Sequence, residues 1–194
     1  EDTQTFDTIE VRATALTAEA AALNQQRTAD NISNVVSSDD MGRFPDITLA
    51  DGLRRLPGIS FRRESRTGDG QFISIRGLDS ALDAVRINGV NVAAVGGADR
   101  SVALDVFTTE GISKVVVDKT LLPDNESVGI GGAVSIETLS PMQLGKNVAE
   151  VRMEGSQNQF ADKLGYNYGG TISHIFGADR QFGFMLSGSI RHRN

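Results

Sequence analysis

The residues able to do chemistry fall into four groups, and each sets a different demand on its surroundings. The first is the glycine run "GIGGAV" at 129–134. A dinucleotide loop needs Gly-x-Gly-x-x-Gly after a strand and at the mouth of a helix, and a phosphate loop needs Gly-Lys-Ser/Thr. Here the sixth position is Val134, the next residues ("SIET") have strand character, and no Gly-Lys-Ser/Thr follows. The run reads instead as a tight backbone turn. The second group is acidic: Asp39 with Asp40, and Asp124 with Glu126. Such pairs could move protons or hold a cation, but acids in turns are commonly solvated or cap helices. No Asp-x-Asp-x-Asp-Gly calcium loop is present.

The third group is His174 and His192, the two histidines of a chain without cysteine. That removes thiolate metal sites and any disulfide framework. Each histidine reads as an interfacial or surface residue, so no metal, cofactor or catalytic centre is expected. The chain is not read as an enzyme.

The fourth group is cationic. "FRRESRTGD" carries Arg62, Arg63 and Arg66 beside a single aromatic, Phe61. Base stacking needs interleaved aromatics, and a net charge of −6 argues against a nucleic-acid partner. A solvated loop, or one that touches an anionic ligand, fits better. Arg76 in "SIRG" and Arg86 in "VRING" lie within or beside apolar, strand-like runs. Each is either a surface-facing strand position or, if buried, an arginine needing a partner, which could lie outside this domain.

The elements that must position these groups follow from periodicity. Residues 15–31 ("ALTAEAAALNQQRTADN") are a short helix or a flexible spacer, and the lack of a sustained apolar face favours the spacer. "NISNVVSSDD" is a short β-run entering a turn. In "PDITLADGLRRLPGI", Thr48 and Asp51 form a capping box, and Leu49, Leu53 and Leu56 share one helical face. Pro57-Gly58 ends that helix. "ISF", "QFISIRG" and "AVRINGV" read as short strands. "DVFTTEGISKVVVDK" reads as a short helix, a glycine break, then a strand through Val115, Val116 and Val117.

From residue 147 the character changes. "NVAEVRMEG", "KLGYNYGGTISHI" and "QFGFMLSGSIRHR" alternate apolar with small or polar residues. At 9–13 residues each, these segments have the length of tilted membrane strands. One connection (177–180) is short and the other (156–163) longer, a habit of outer-membrane barrels. A soluble three-stranded meander is the alternative; the Gly-, Ser- and Asn-rich opposite face favours a water-filled lumen. Three strands cannot close a barrel, so the membrane reading expects a longer protein. Glu1 in place of methionine, without a signal peptide near it, is expected to be a mature end left by cleavage or an engineered end. At the front, "FDTIEVRAT" places Ile9, Val11 and Ala13 on one face and Thr8, Glu10 and Arg12 on the other. Such a segment can add to the sheet edge of a partner.

In order and spacing, "DITLADGLRRLPGISF", "ISIRGLDS", "AVRINGV", "GISKVVVDK" and "GIGGAVSIET" resemble the plug domain of TonB-dependent outer-membrane receptors. The resemblance implies three parts: a TonB box and flexible linker at 1–31, an α+β plug domain with a small mixed sheet and short helices at 32–140, and the first antiparallel strands of a transmembrane β-barrel at 141–194. It implies a transporter for an iron–siderophore or an oligosaccharide, energised by TonB and its inner-membrane complex. The localisation would be the outer membrane, in contact with its lipid, with plug and N-terminus facing the periplasm. Asp7, Thr8, Ile9, Glu10 and Val11 would bind TonB. Arg76, Gly77, Arg86 and Lys119 would meet the barrel wall, and Arg62, Arg63 and Arg66 an extracellular small-molecule ligand. The chain departs from the family where an Arg-Gly-Pro commonly follows the "VVV" strand; "DKTLLPDNESVGIGG" stands there, with Lys119 keeping a charge. The other reading is a soluble periplasmic or surface binding module without a transport role.

Overall fold

A computed structural model describes residues 18–37, 49–63, 70–94, 100–107, 109–123, 129–158 and 163–192. Asp7–Val11, Asp39, Asp40, Thr48, Arg66, Asp124 and Glu126 lie outside the described residues.

Three helices and ten strands are described. The centre is a five-stranded mixed sheet of β1 (Ser33–Ser37), β6 (Ile112–Asp118), β7 (Gly132–Thr138), β4 (Asp83–Ile87) and β5 (Val90–Asn91), in that spatial order. All neighbours are antiparallel except β4 and β7, which run parallel. A separate hairpin joins β2 (Ile59–Arg63) to β3 (Gly70–Ile75). Alternation decides which side of the sheet is dry. Val115, Val117, Val134, Ile136 and Val85 point to one face and pack with Leu49, Leu53, Ile73, Ile75 and Leu104. Burying each such side chain contributes about 1.5–3 kcal/mol, which makes this the main source of the domain's stability.

The leucine helix is present as α2 (Leu49–Leu53), with Leu49 and Leu53 fully buried and Arg54 and Arg55 exposed. It is one turn shorter than its apolar spacing suggests, because Leu56 already belongs to the turn that carries Pro57 and Gly58.

Three expectations need correction. The stretch favoured as a spacer forms α1 (Ala18–Thr28). Ala22 alone is buried, against Val35 and Val116, and two amides do the rest: Gln26 Oε1 accepts from Val35 N–H at 3.3 Å, and Gln25 Oε1 from Lys114 Nζ at 2.7 Å. The helix therefore docks through hydrogen bonds that apolar periodicity does not register. The short helix expected before Gly111 is absent among the described residues. Ala103 bridges to Phe72 and Leu104 N–H donates to the Gln71 carbonyl, and beyond them the chain makes a single turn, closed by Phe107 N–H to the Leu104 carbonyl at 3.3 Å. Finally, "AVRINGV" is a hairpin and not one strand. Asn88 and Gly89, both at positive φ, form the two-residue turn between β4 and β5, the Asn-Gly signature of such loops.

The remaining strands, β8 (Val148–Asn158), β9 (Lys163–Phe176) and β10 (Phe182–His192), form an antiparallel meander reached through α3 (Pro141–Leu144). They run longer than their apolar alternation, since ladder bonds continue through polar residues such as Gln157 opposite Leu164. The first connection shrinks to 159–162 and the second grows by one residue to 177–181, so the expected contrast between a long loop and a short turn is not there. No helix among the described residues is long and apolar enough to cross a membrane.

Candidate functional site

The turn after β3 is the most constrained backbone near any candidate residue. Ile75, Arg76, Gly77 and Leu78 close it with a Leu78 N–H to Ile75 carbonyl bond of 3.1 Å. Arg76 sits at φ 55° and Gly77 at φ 77°. Glycine takes that region freely, whereas an arginine there carries a cost of about 1–3 kcal/mol and persists only if its surroundings over-determine it. They do. Arg76 N–H donates to the Gly58 carbonyl at 2.8 Å, its Nη2 to the Gly131 carbonyl at 3.2 Å, and Ile75 N–H to Asp83 Oδ2 at 3.2 Å. The residue as a whole nevertheless remains exposed. The structure thus holds Arg76 in a strained conformation that presents a cation at the edge of the domain.

The glycine run packs against this turn. A Cβ at Gly129 would lie 2.6 Å from the Leu82 carbonyl, and one at Gly132 2.7 Å from Ile75 Cδ1. A Cβ at Gly131 would collide with Asp83 Oδ1. These glycines exist for close backbone approach, and β7 follows them directly.

Asp83 itself is absent from the sequence-level candidates. It is 5 % exposed, and desolvation by burial pushes its carboxyl up to about 7. The Ile75 hydrogen bond and the Arg76 charge oppose that rise, and the Asp79 charge adds to it. Its place in "SALDAVRI" puts an acid at the head of an apolar strand, a position that does not by itself record burial.

The other candidates do not converge on Arg76. Arg86 lies in mid-β4, on the sheet face opposite the core, and is buried; its Nε donates to Asn91 Oδ1 at 3.2 Å. It lines a cleft of about 660 Å³ with Ser135, Glu137, Thr138 and Gln143. Lys119 is buried just past β6, where its N–H donates to the Ile32 carbonyl. Arg62 and Arg63 are exposed at the far end of the β2–β3 hairpin, Arg62 stacked 4.5 Å over the Phe72 ring. Among the described residues, no three histidine or carboxylate side chains gather to hold a metal ion.

The meander presents two unlike faces. One carries Val151, Met153, Tyr168, Ile172, Phe184, Leu186 and Ile190, all exposed. Aromatic rings cluster at both ends of this face: Tyr166 with Tyr168 (5.3 Å), and His174 with Phe176, Phe182 and Phe184 (5.8–6.2 Å). The centres of the two clusters lie eight positions apart on β9, about 27 Å along the strand and roughly 20 Å at a typical barrel tilt. Outer-membrane barrels carry an apolar band of that order between two aromatic girdles. The other face carries mostly small and polar residues beside Ile175 and Met185, and the Glu110–Gly111 turn ahead of β6 lies against it. A Cβ at Gly169 would lie 2.5 Å from Glu110 Oε1, and one at Gly111 would collide with Ser187 Oγ.

The sequence model of the TonB-dependent Receptor Plug Domain matches residues 25–133. Three solved structures share the fold. The ferric citrate transporter FecA, unliganded, is 22 % identical with a TM-score of 0.66, over 88 % of this chain and 27 % of that one. The siderophore receptor PirA of Acinetobacter baumannii is 19 % identical with a TM-score of 0.63, over 92 % and 26 %. The hemophore receptor HasR of Serratia marcescens, a double mutant in complex with its hemophore HasA and heme, is 18 % identical with a TM-score of 0.57, over 79 % and 26 %. The chain therefore spans about a quarter of the length of these structures. With the plug match covering more than half of the chain and the small face of β8–β10 laid against that plug, the protein belongs to the TonB-dependent receptors, as a plug domain followed by the first strands of its barrel.

Proposed function

We propose that this chain is the N-terminal part of an outer-membrane transporter whose plug closes a β-barrel and is moved by TonB from the periplasmic side. The observation that carries the reading is the opposition of the two meander faces: apolar with aromatic ends outward, small and polar against the plug. A soluble binding module would have to leave that apolar face in water, which soluble monomers avoid on this scale. The N-terminal segment Asp7, Thr8, Ile9, Glu10 and Val11 docks TonB by strand addition, with main-chain bonds for affinity and alternate side chains for specificity. TonB's inner-membrane complex supplies the energy, and no enzymatic step is involved.

The transported ligand is an iron complex, a reading supported by relatives named for ferric citrate, siderophores and heme. Arg62, Arg63 and Arg66 give the β2–β3 hairpin a cationic end suited to an anionic ferric complex. Arg76 and Gly77 meet carboxylates of the barrel wall, and Arg86 and Lys119 contact it elsewhere. Ile9→Pro in the full-length receptor removes a ladder donor and is expected to abolish uptake with ligand binding intact. Unchanged uptake sinks the docking assignment. Growth of a deletion strain on single iron complexes or single oligosaccharides reads the ligand class, and a defect confined to oligosaccharides overturns the iron reading.

A further inference from the structure

Among the described residues the Asp83 carboxyl has one hydrogen bond and one idle oxygen. Its Oδ2 accepts from Ile75 N–H at 3.2 Å, while its Oδ1 is buried without a partner among the described residues. That idle oxygen abuts Gly131, and the carbonyl of the same glycine receives Arg76 Nη2. One acid thus fixes the residue preceding Arg76 and touches the residue that Arg76 grips. The charged groups facing it are Asp79 before β4, Arg76 after β3, and Arg100, which lines the same cleft as Asp83. Among the described residues the glycine run meets Asp83 at Gly129, Gly131 and Gly132, none of which carries a charge.

We infer that Asp83 is the positioning residue of Arg76, releasing the guanidinium to an acceptor outside the plug when its carboxyl is neutral and drawing it inward over Gly131 when ionised. A buried carboxylate with an oxygen unpaired is costly until a cation approaches. Arg76 is the cation whose charge acts on this carboxyl, and its exposed side chain can move without disturbing the turn. The neutral acid imposes no such demand. The inference rests on the reading that Arg76 meets the barrel wall.

The sign follows from burial. The folded plug holds the proton up to a pH of about 7, above the ordinary carboxylate value of 3.8. Asp83's contribution to holding the plug is therefore greatest in acid and is lost as pH rises through about 7.

The test is plug release by urea from the full-length receptor in detergent, followed from about pH 5.5 to 8.5. The wild-type midpoint is expected to fall as pH rises through that range, and Asp83→Asn to flatten the fall. Arg76→Gln is expected to lower the midpoint in acid and to move the transition to higher pH, since the opposing charge is gone. A pH dependence that survives in Asp83→Asn overturns the inference. So does an Arg76→Gln receptor that is weaker throughout but titrates at the wild-type pH, and in that case the wall contact stands. An Arg76→Gln receptor that retains its plug as well as wild type in acid removes the wall contact itself, and the inference with it. If Asp83→Asn fails to assemble, infrared difference spectra of wild type and Arg76→Gln follow the protonated-carboxyl stretch. A band whose titration Arg76→Gln leaves in place overturns the linkage.

Discussion

The plug sheet and the β8–β10 meander are built from the same two-residue alternation and turn it in opposite directions. In the plug, Val115, Val117, Val134 and Ile136 point inward onto α2 and β3, and the face behind them carries Lys114, Ser135 and Glu137. In the meander, Leu186 is 70 % and Val151 73 % exposed, while Ser173 on the opposite face is 2 % exposed. The strand pattern is thus indifferent to which side is dry; the surroundings of each face decide it. A buried valine and an exposed one carry the same local signal, and only the girdles of aromatic rings mark the second as facing lipid.

That contrast can be broken most severely from the plug side. Leu53, wholly buried, contacts the core from α2, so Leu53→Ala is expected to cost about 2–5 kcal/mol of plug stability, read by urea denaturation. On the meander the matching truncation, Leu186→Ala, should leave plug stability unchanged, because no core atom loses a neighbour. A charge there reverses the outcome. Leu186→Arg, near the middle of the apolar band, is expected to cost ~2–4 kcal/mol of barrel stability and to reduce the heat-resistant folded receptor on gels. If Leu186→Arg assembles like wild type, that face does not meet lipid. The smallest effect belongs to the seam between the two regions. Gly169→Val drives a side chain into Glu110 and is expected to cost about 1–3 kcal/mol, seen as easier plug release with an intact barrel.

What could be read in advance follows the same division. Strands were legible from alternation in "YNYGGTISHI" and from the unbroken run Val115, Val116 and Val117 in "KVVVDK", and α2 was legible from Leu49 and Leu53. The β4–β5 hairpin was also written in the chain, since Asn88-Gly89 between apolar residues demands a two-residue turn. That signal was lost by reading "AVRINGV" as one run. α1 was not legible, because its hold on the sheet comes from Gln25 and Gln26 rather than an apolar stripe. Asp83 was not legible either. Its burial depends on β3 and the glycine run closing over it from residues up to 48 positions away, and no local pattern records that.

The seam between plug and wall is lined mostly with small residues, Gly169, Thr171, Ser173, Gly183 and Ser187, beside two larger apolar ones, Ile175 and Met185. Interlocked large side chains would tie displacement of the plug to repacking of the wall, one rotamer at a time. On the proposed reading, a wall with so few knobs acts as a bearing surface: a plug that moves shears along it with little to unlatch, and resistance to extraction concentrates in a few polar catches.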